Sequence, residues 1–246
     1  MYTFTSRIRF SEADAEGVLR LQSLVDYFQD CSTFQTEDVG WGVGRLLASG
    51  HAWVVNAWQM DIRRMPHMGE QVTIGTNPYE IRGFLGLRNF FMDTLDGEKL
   101  VVANSVWSYL NLASGQLEKA PEDMKEAYGL GEKLEMEYLS RKLPFPKDGE
   151  ILEAPVTEVA SSHLDANGHV NNGQFIKIAL EAAFGGQTPK TARLRAEYRR
   201  QAHLHDRFYP RICRGAGGII TIALNDSEGT PYCTVEITPA ADGERL

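Results

Sequence analysis

The chain has 246 residues, 43% of them hydrophobic and 24% charged, which excludes a disordered or fibrous protein and leaves room for one large domain or two smaller ones. Its net charge of −8 argues against a general nucleic-acid binder, since a polyanion would be repelled. No run of about 18 apolar residues is present to span a bilayer, and the opening MYTFTSRIRF alternates polar with apolar residues where a secretory signal is continuously apolar, so the expected location is the cytoplasm.

After the opening strand comes DAEG at 14–17, and then Leu21, Leu24, Val25, Phe28 and Cys31 at helical spacing, which predict a helix over 21–35 with Gly40 as its stop. From His51 the text changes. HAWVVNAWQMDI, EQVTIGTNPYEI, LRNFFM and LVVANSVWSYLNL are rich in β-branched and aromatic residues, with DGE at 96–98 as a turn, and predict an antiparallel sheet. Residues 131–155, with Pro144, Pro146, Pro155 and several glycines, read as a linker between a first unit, 1–130, and a second, 156–246. The second unit begins with HLDANGHVNN at 163–172. A helix follows over 173–184, whose polar Gln174, Lys177 and Glu181 share one face, and then the strands RLRAEYRR, RFYPRICR, GIITIALN and PYCTVEIT. Cys31, Cys213 and Cys233 lack CxxC spacing and suit reduced core thiols.

Helix then sheet thus occurs twice, and short segments align across the halves. DAEG (14–17) matches DANG (165–168), and DIRRMPHMGE (61–70) matches EYRRQAHLHD (197–206), in the same order and at equivalent points of the cycle. A mostly apolar helix must be nearly wrapped by protein. The expected fold is α+β: a tandem, or double, hotdog, in which each curved antiparallel sheet wraps a central helix and the two sheets join edge to edge.

HLDANGHVNN concentrates the polar chemistry. Local structure alone accounts for Asp165 as an Asx-turn, Gly168 as the turn residue and Asn171 or Asn172 as a helix cap, but it leaves Asn167 and His169 without a reason. His163, Asp165, His169, His203 and His205 match no zinc spacing; no metal or cofactor is expected, and HLH at 203–205 reads as the exposed face of a strand. From Lys190 to Arg214 eight basic residues stand against Glu197 and Asp206, a local charge of +6; this strip is either a solvated strand pair or a dock for an acidic partner.

The order and spacing of WVVNAWQMDIRRMPHMGEQVTI, ANSVWSYLNLASGQLEKAPEDM, DANGHVNN and AEYRRQAHLHD resemble the acyl-acyl carrier protein thioesterases, a family of plant plastid enzymes and bacterial relatives. The resemblance covers nearly the whole chain. It implies a first unit that holds the acyl chain and a second that hydrolyses the thioester, releasing free fatty acid, with Asp165, Asn167 and His169 as catalytic residues. Their equivalents in the first repeat are Asp14, Glu16 and Val18. Plant members carry an acidic residue and then a cysteine after the paired arginines, where this chain has Gln201 and Ala202, so a cysteine nucleophile is impossible there and Gln201 is left to orient water through its amide.

On that reading neutral His169 takes a proton from water, Asp165 orients the imidazole or contacts the water itself, and Asn167 positions. N–H groups at the start of the 173–184 helix bind the oxyanion, and Gly173 admits the carbonyl. Arg199 and Arg200 contact the implied partner, an acidic carrier protein with a phosphopantetheine arm, through salt-sensitive docking. Trp41, Trp53, Phe28 and Phe34 are candidates for the acyl tunnel, and the expected state is monomer or homodimer. Two alternatives stay open: a non-catalytic acyl-chain binding module, and a hotdog dehydratase with Glu181 as its acidic residue.

Overall fold

A computed structural model describes residues 1–240. In chain order it has β1 (Tyr2–Arg7), α1 (Leu21–Asp38), α2 (Val43–Ala48), β2 (His51–Ile62), β3 (Gln71–Arg82), β4 (Leu85–Thr94) and β5 (Lys99–Asn111). Then come α3 (Glu122–Tyr128), β6 (Glu150–Glu153), β7 (Thr157–Glu158), α4 (Asn172–Phe184), β8 (Thr191–Tyr198), β9 (Arg207–Arg214), β10 (Ile220–Asn225) and β11 (Pro231–Pro239). Short 3-10 turns at Phe10–Glu12 and Ser161–His163 precede the two long helices.

The strands form one eleven-stranded sheet in the order β1-β3-β4-β5-β2-β8-β11-β10-β9-β6, with β7 also on β9. Each half therefore has the same internal order, and the halves meet where β2 pairs antiparallel with β8, from Ala57 opposite Glu197 to Asp61 opposite Arg193. This pairing satisfies two edges that would otherwise stand open. Below the sheet α1 and α4 pack against each other, and their apolar faces bury Leu24, Val25, Phe28, Cys31, Phe175, Ile176 and Ala179 in one continuous core. The architecture is a double hotdog.

The duplication extends to individual hydrogen bonds. Asp14 N–H bonds Val18 O at 2.8 Å and Gly17 N–H bonds Asp14 O at 3.1 Å; their counterparts 151 residues on, Asp165 to His169 and Gly168 to Asp165, are 2.8 and 3.1 Å. His67 N–H donates to Glu70 Oε2 at 3.0 Å, and His203 N–H to Asp206 Oδ2 at 2.8 Å. HLH at 203–205 accordingly lies in a turn before β9, not on a strand, and His205 takes a left-handed φ of 70° where its counterpart Gly69 has 85°.

The segment read as a linker follows a defined path. Asn77 donates to Glu132 O at 2.5 Å, Asn89 accepts from Leu134 N–H at 3.1 Å, and Gln59 both donates to Glu137 O at 2.7 Å and accepts from Leu139 N–H at 3.0 Å. Leu143 N–H then reaches Glu197 at 2.9 Å. Side chains of the sheet thus replace the partners that an irregular backbone lacks. The segment's last part, Glu150–Glu153, is strand β6 on β9.

Candidate active site

The loop 163–171 is built around one carboxylate. Asp165 Oδ1 accepts the N–H of Asn167 at 2.8 Å and of His169 at 3.2 Å, closing a tight turn with Gly168 at φ 76°. Asp14 makes the same pair of bonds, to Glu16 N–H at 3.1 Å and Val18 N–H at 2.9 Å. Asp165 is thus first a loop-forming group, and it does not orient the His169 imidazole through that oxygen. The turn carries Asn167 outward to solvent and leaves His169 half-buried.

Two neighbours hold this loop. Val170 N–H donates to Ala202 O at 2.9 Å, tying it to the 199–206 loop, and the His169 ring packs edge-on to His203 with centroids 5.0 Å apart. Gln201 is exposed on that facing loop, and Ala202 is fully buried. On the other side α4 starts under an Asn171 cap, whose side chain accepts Gly173 N–H at 2.7 Å, while Asn172 bonds Gln29 of α1 at 2.9 Å and its carbonyl accepts the Tyr198 hydroxyl at 3.0 Å.

Gly173 has a different reason from the expected one. A Cβ there would stand 3.0 Å from the Gln22 carbonyl oxygen and 2.6 Å from Asp26 Oδ1, so the glycine is required for α1 and α4 to cross closely. Its N–H is taken by Asn171. The Asn172 N–H is the first-turn donor with no hydrogen bond among the described residues, and the positive end of the helix dipole lies beside it.

Several expectations are corrected. The strip from Lys190 to Arg214 is not a free basic surface. Arg193 pairs with Asp61 and, at 3.0 Å, with Glu137; Arg195 pairs with Glu236 at 2.7 Å, Arg199 with Glu197 at 2.8 Å, Arg200 with Asp226 at 2.7 Å and Arg207 with Glu158 at 3.2 Å. Counting charge along the sequence missed partners that the fold brings from other strands. The four candidate tunnel aromatics do not share one space: Phe28 is wedged against Trp58 and Phe90, Phe34 is 42% exposed, and Trp41 and Trp53 belong to a second cluster with Tyr109 and Met124. Glu181 is exposed and bridged to Lys177 at 3.8 Å. His163 uses Nδ1 to accept the Ala160 N–H at 3.1 Å, and burial followed by nearby Lys177 lowers its pKa; His205 lies 3.1 Å from Glu158. Among the described residues no three potential metal ligands gather, and no helix is long and apolar enough to cross a membrane.

The paired sheets, the crossed helices and the polar loop over one helix start define a double-hotdog protein. The model of the acyl-ACP thioesterase N-terminal domain matches residues 1–128, and the chain belongs to that family. It is 28% identical over 209 residues to a chloroplastic palmitoyl-acyl carrier protein thioesterase of Arabidopsis thaliana, covering 79% of this chain and 50% of that one, and 27% identical over 209 residues, with the same coverage, to one of Cuphea hookeriana. The chain spans about half the length of these curated relatives.

Among solved structures, an acyl-ACP thioesterase from Bacteroides thetaiotaomicron superposes with a TM-score of 0.84 at 20% identity, over 96% of both chains. The 12:0-ACP thioesterase from Umbellularia californica superposes at 0.80 and 18% identity, over 96% of this chain and 95% of that one. These likenesses support the fold.

Proposed function

We propose that the protein hydrolyses the thioester joining an acyl chain to the phosphopantetheine arm of an acyl carrier protein, releasing free fatty acid. The observation that carries this reading is the asymmetry of the duplicated loop. The same Asp-anchored turn is built twice, and only the copy at the start of α4 bears Asn167 and His169, where the other has Glu16 and Val18. The geometry of the turn needs only the aspartate and the glycine, so the added amide and imidazole answer to chemistry.

In this reaction the carbonyl oxygen lies at the first turn of α4, where the Asn172 N–H and the helix dipole stabilise the developing oxyanion. Asn167 positions the thioester. His169, whose ring makes no hydrogen bond among the described residues, meets the reacting thioester beside Asn167, and Gln201 on the facing loop orients water. An acidic carrier protein meets Lys190, Arg211 and Arg214, the members of the basic strip without a carboxylate partner among the described residues, with Arg199 and Arg200 as rim contacts weakened by their own pairs. A thiolate leaves readily, so no strong acid is demanded. The cytoplasm is the proposed location.

The test is hydrolysis of a ladder of carrier-linked acyl chains, with the coenzyme A esters beside it. Wild-type protein is expected to turn over, and His169→Ala and Asn167→Ala to lose about 100-fold or more in kcat while keeping the far-UV spectrum. A double variant that hydrolyses as fast as wild type rules the site out.

A further inference from the structure

A carboxylate of the first unit lies against the start of α4 without a partner among the described residues. Asp26, in the second turn of α1, is half-buried and makes no hydrogen bond or ion pair among the described residues. Its Oδ1 fills the space that a Cβ at Gly173 would need, 2.6 Å away, and so rests against the first turn of α4. Asp26 also lines a cleft of about 100 Å³, together with Ser23, Tyr27 and Asp30 of its own helix, Glu12 of the 3-10 turn and Arg9 just before it. Tyr198 of β8 is within electrostatic reach. The cation of this group, Arg9, is engaged by Glu12 at 3.3 Å.

The duplication supplies an internal comparison. The counterparts of Asp26 and Asp30 are Lys177 and Glu181, an ion pair at 3.8 Å. Where α4 neutralises its four-residue step, α1 sets two like charges on the same step, an arrangement that destabilises a helix. Packing alone would favour the α4 solution. Burial, then Asp30 and Glu12, raise the Asp26 pKa to about 6, which allows proton exchange close to neutral pH.

We infer that Asp26 is a further catalytic residue, the carboxylate that takes the proton of the attacking water when a thioester lies at the start of α4. The inference rests on the proposed hydrolase reading. As the water oxygen bonds to the carbonyl carbon, its proton passes to the Asp26 carboxylate. When the carbon–sulfur bond breaks, sulfur leaves with the electron pair and receives that proton, which yields the free acid and the thiol and restores the carboxylate. Asp165 is less suited to this step, because its Oδ1 is held by two backbone N–H groups.

Asp26→Asn keeps the shape and removes the acceptor. On a carrier-linked acyl thioester its kcat is expected to fall about 100-fold with KM nearly unchanged, and the acid limb of the wild-type kcat profile, centred near pH 6, should vanish from the residual activity; Asp26→Glu should restore part of the rate. A readout without turnover is Tm against pH, where the variant should gain on wild type as pH rises from 4 to 7. Wild-type kcat in Asp26→Asn, or a reduced kcat that keeps the acid limb, overturns the assignment. Wild-type protein inert on every thioester instead removes the hydrolase reading itself, so the two failures are distinguishable.

Discussion

Asp14 and Asp165 separate what a residue does for the fold from what it does for chemistry. Each accepts two backbone N–H groups in the same tight turn, so Asp14→Ala and Asp165→Ala should each cost about 1–2 kcal/mol of stability, measured by urea unfolding. Asn at either position keeps the accepting oxygen and most of that stability. Only the change at 165 should reduce hydrolysis, because only that turn carries Asn167 and His169. The aspartate, glycine and cap roles were legible in HLDANGHVNN, since they depend on neighbours within a few positions. The reason for Gly173 was not, because the atoms that exclude a side chain there belong to Gln22 and Asp26, about 150 positions earlier in the chain. Asp26 itself was missed for the same reason: on a helical wheel it is one more polar residue.

Among the elements, the long helices and strands declared themselves through their period. Predicted and observed limits agree to within a few residues, as with α1 ending at Asp38 where the pattern faded at about 35. What periodicity could not supply was which aromatic lies where. Phe28, Trp58 and Phe90 fill the space between α1 and the first half's strands; Phe28→Ala should cost about 3–5 kcal/mol and, on the proposed reading that the first unit holds the acyl chain, shift the preferred chain length upward in the substrate ladder. The route of residues 131–149 was equally hidden, since Asn77, Asn89 and Gln59 reveal their long-range bonds only once the sheet exists. The α1–α4 crossing gives a sharper test. Gly173→Ala must push against a backbone carbonyl 3.0 Å from the new Cβ, and calorimetry should show a loss of about 1–3 kcal/mol.

At the scale of the molecule, the β2–β8 seam and the α1–α4 contact make two homologous halves into one sheet and one core. A single cooperative transition is therefore expected. Trp41, Trp53, Trp58 and Trp107 all lie in the first half, so tryptophan fluorescence reports that half while far-UV circular dichroism reports both; coincident urea transitions support one folding unit, and separated ones would show independent halves. The pH dependence follows from Asp26. Its folded pKa of about 6 lies above the ordinary 3.8, so between these values the folded protein retains a proton that the unfolded chain has released. Its stabilising contribution is complete below pH 4 and lost as pH rises through 6, up to about 3 kcal/mol before discounting for partial exposure. The double-hotdog class was readable because the repeat and the helix–sheet cycle are sequence properties; the neutralisation of the basic strip was not, because Asp61, Glu236 and Asp226 come from other strands.

Whether the 163–172 loop performs thioester hydrolysis is read by single-turnover hydrolysis of an acyl carrier protein thioester, with the released fatty acid quantified by mass spectrometry for wild type and for a folded variant carrying His169→Ala and Asn167→Ala together. Release by the wild type and near-absence of release by the variant is the predicted result. Binding of the acyl carrier without release by the wild type, or equal release by both proteins, would contradict it.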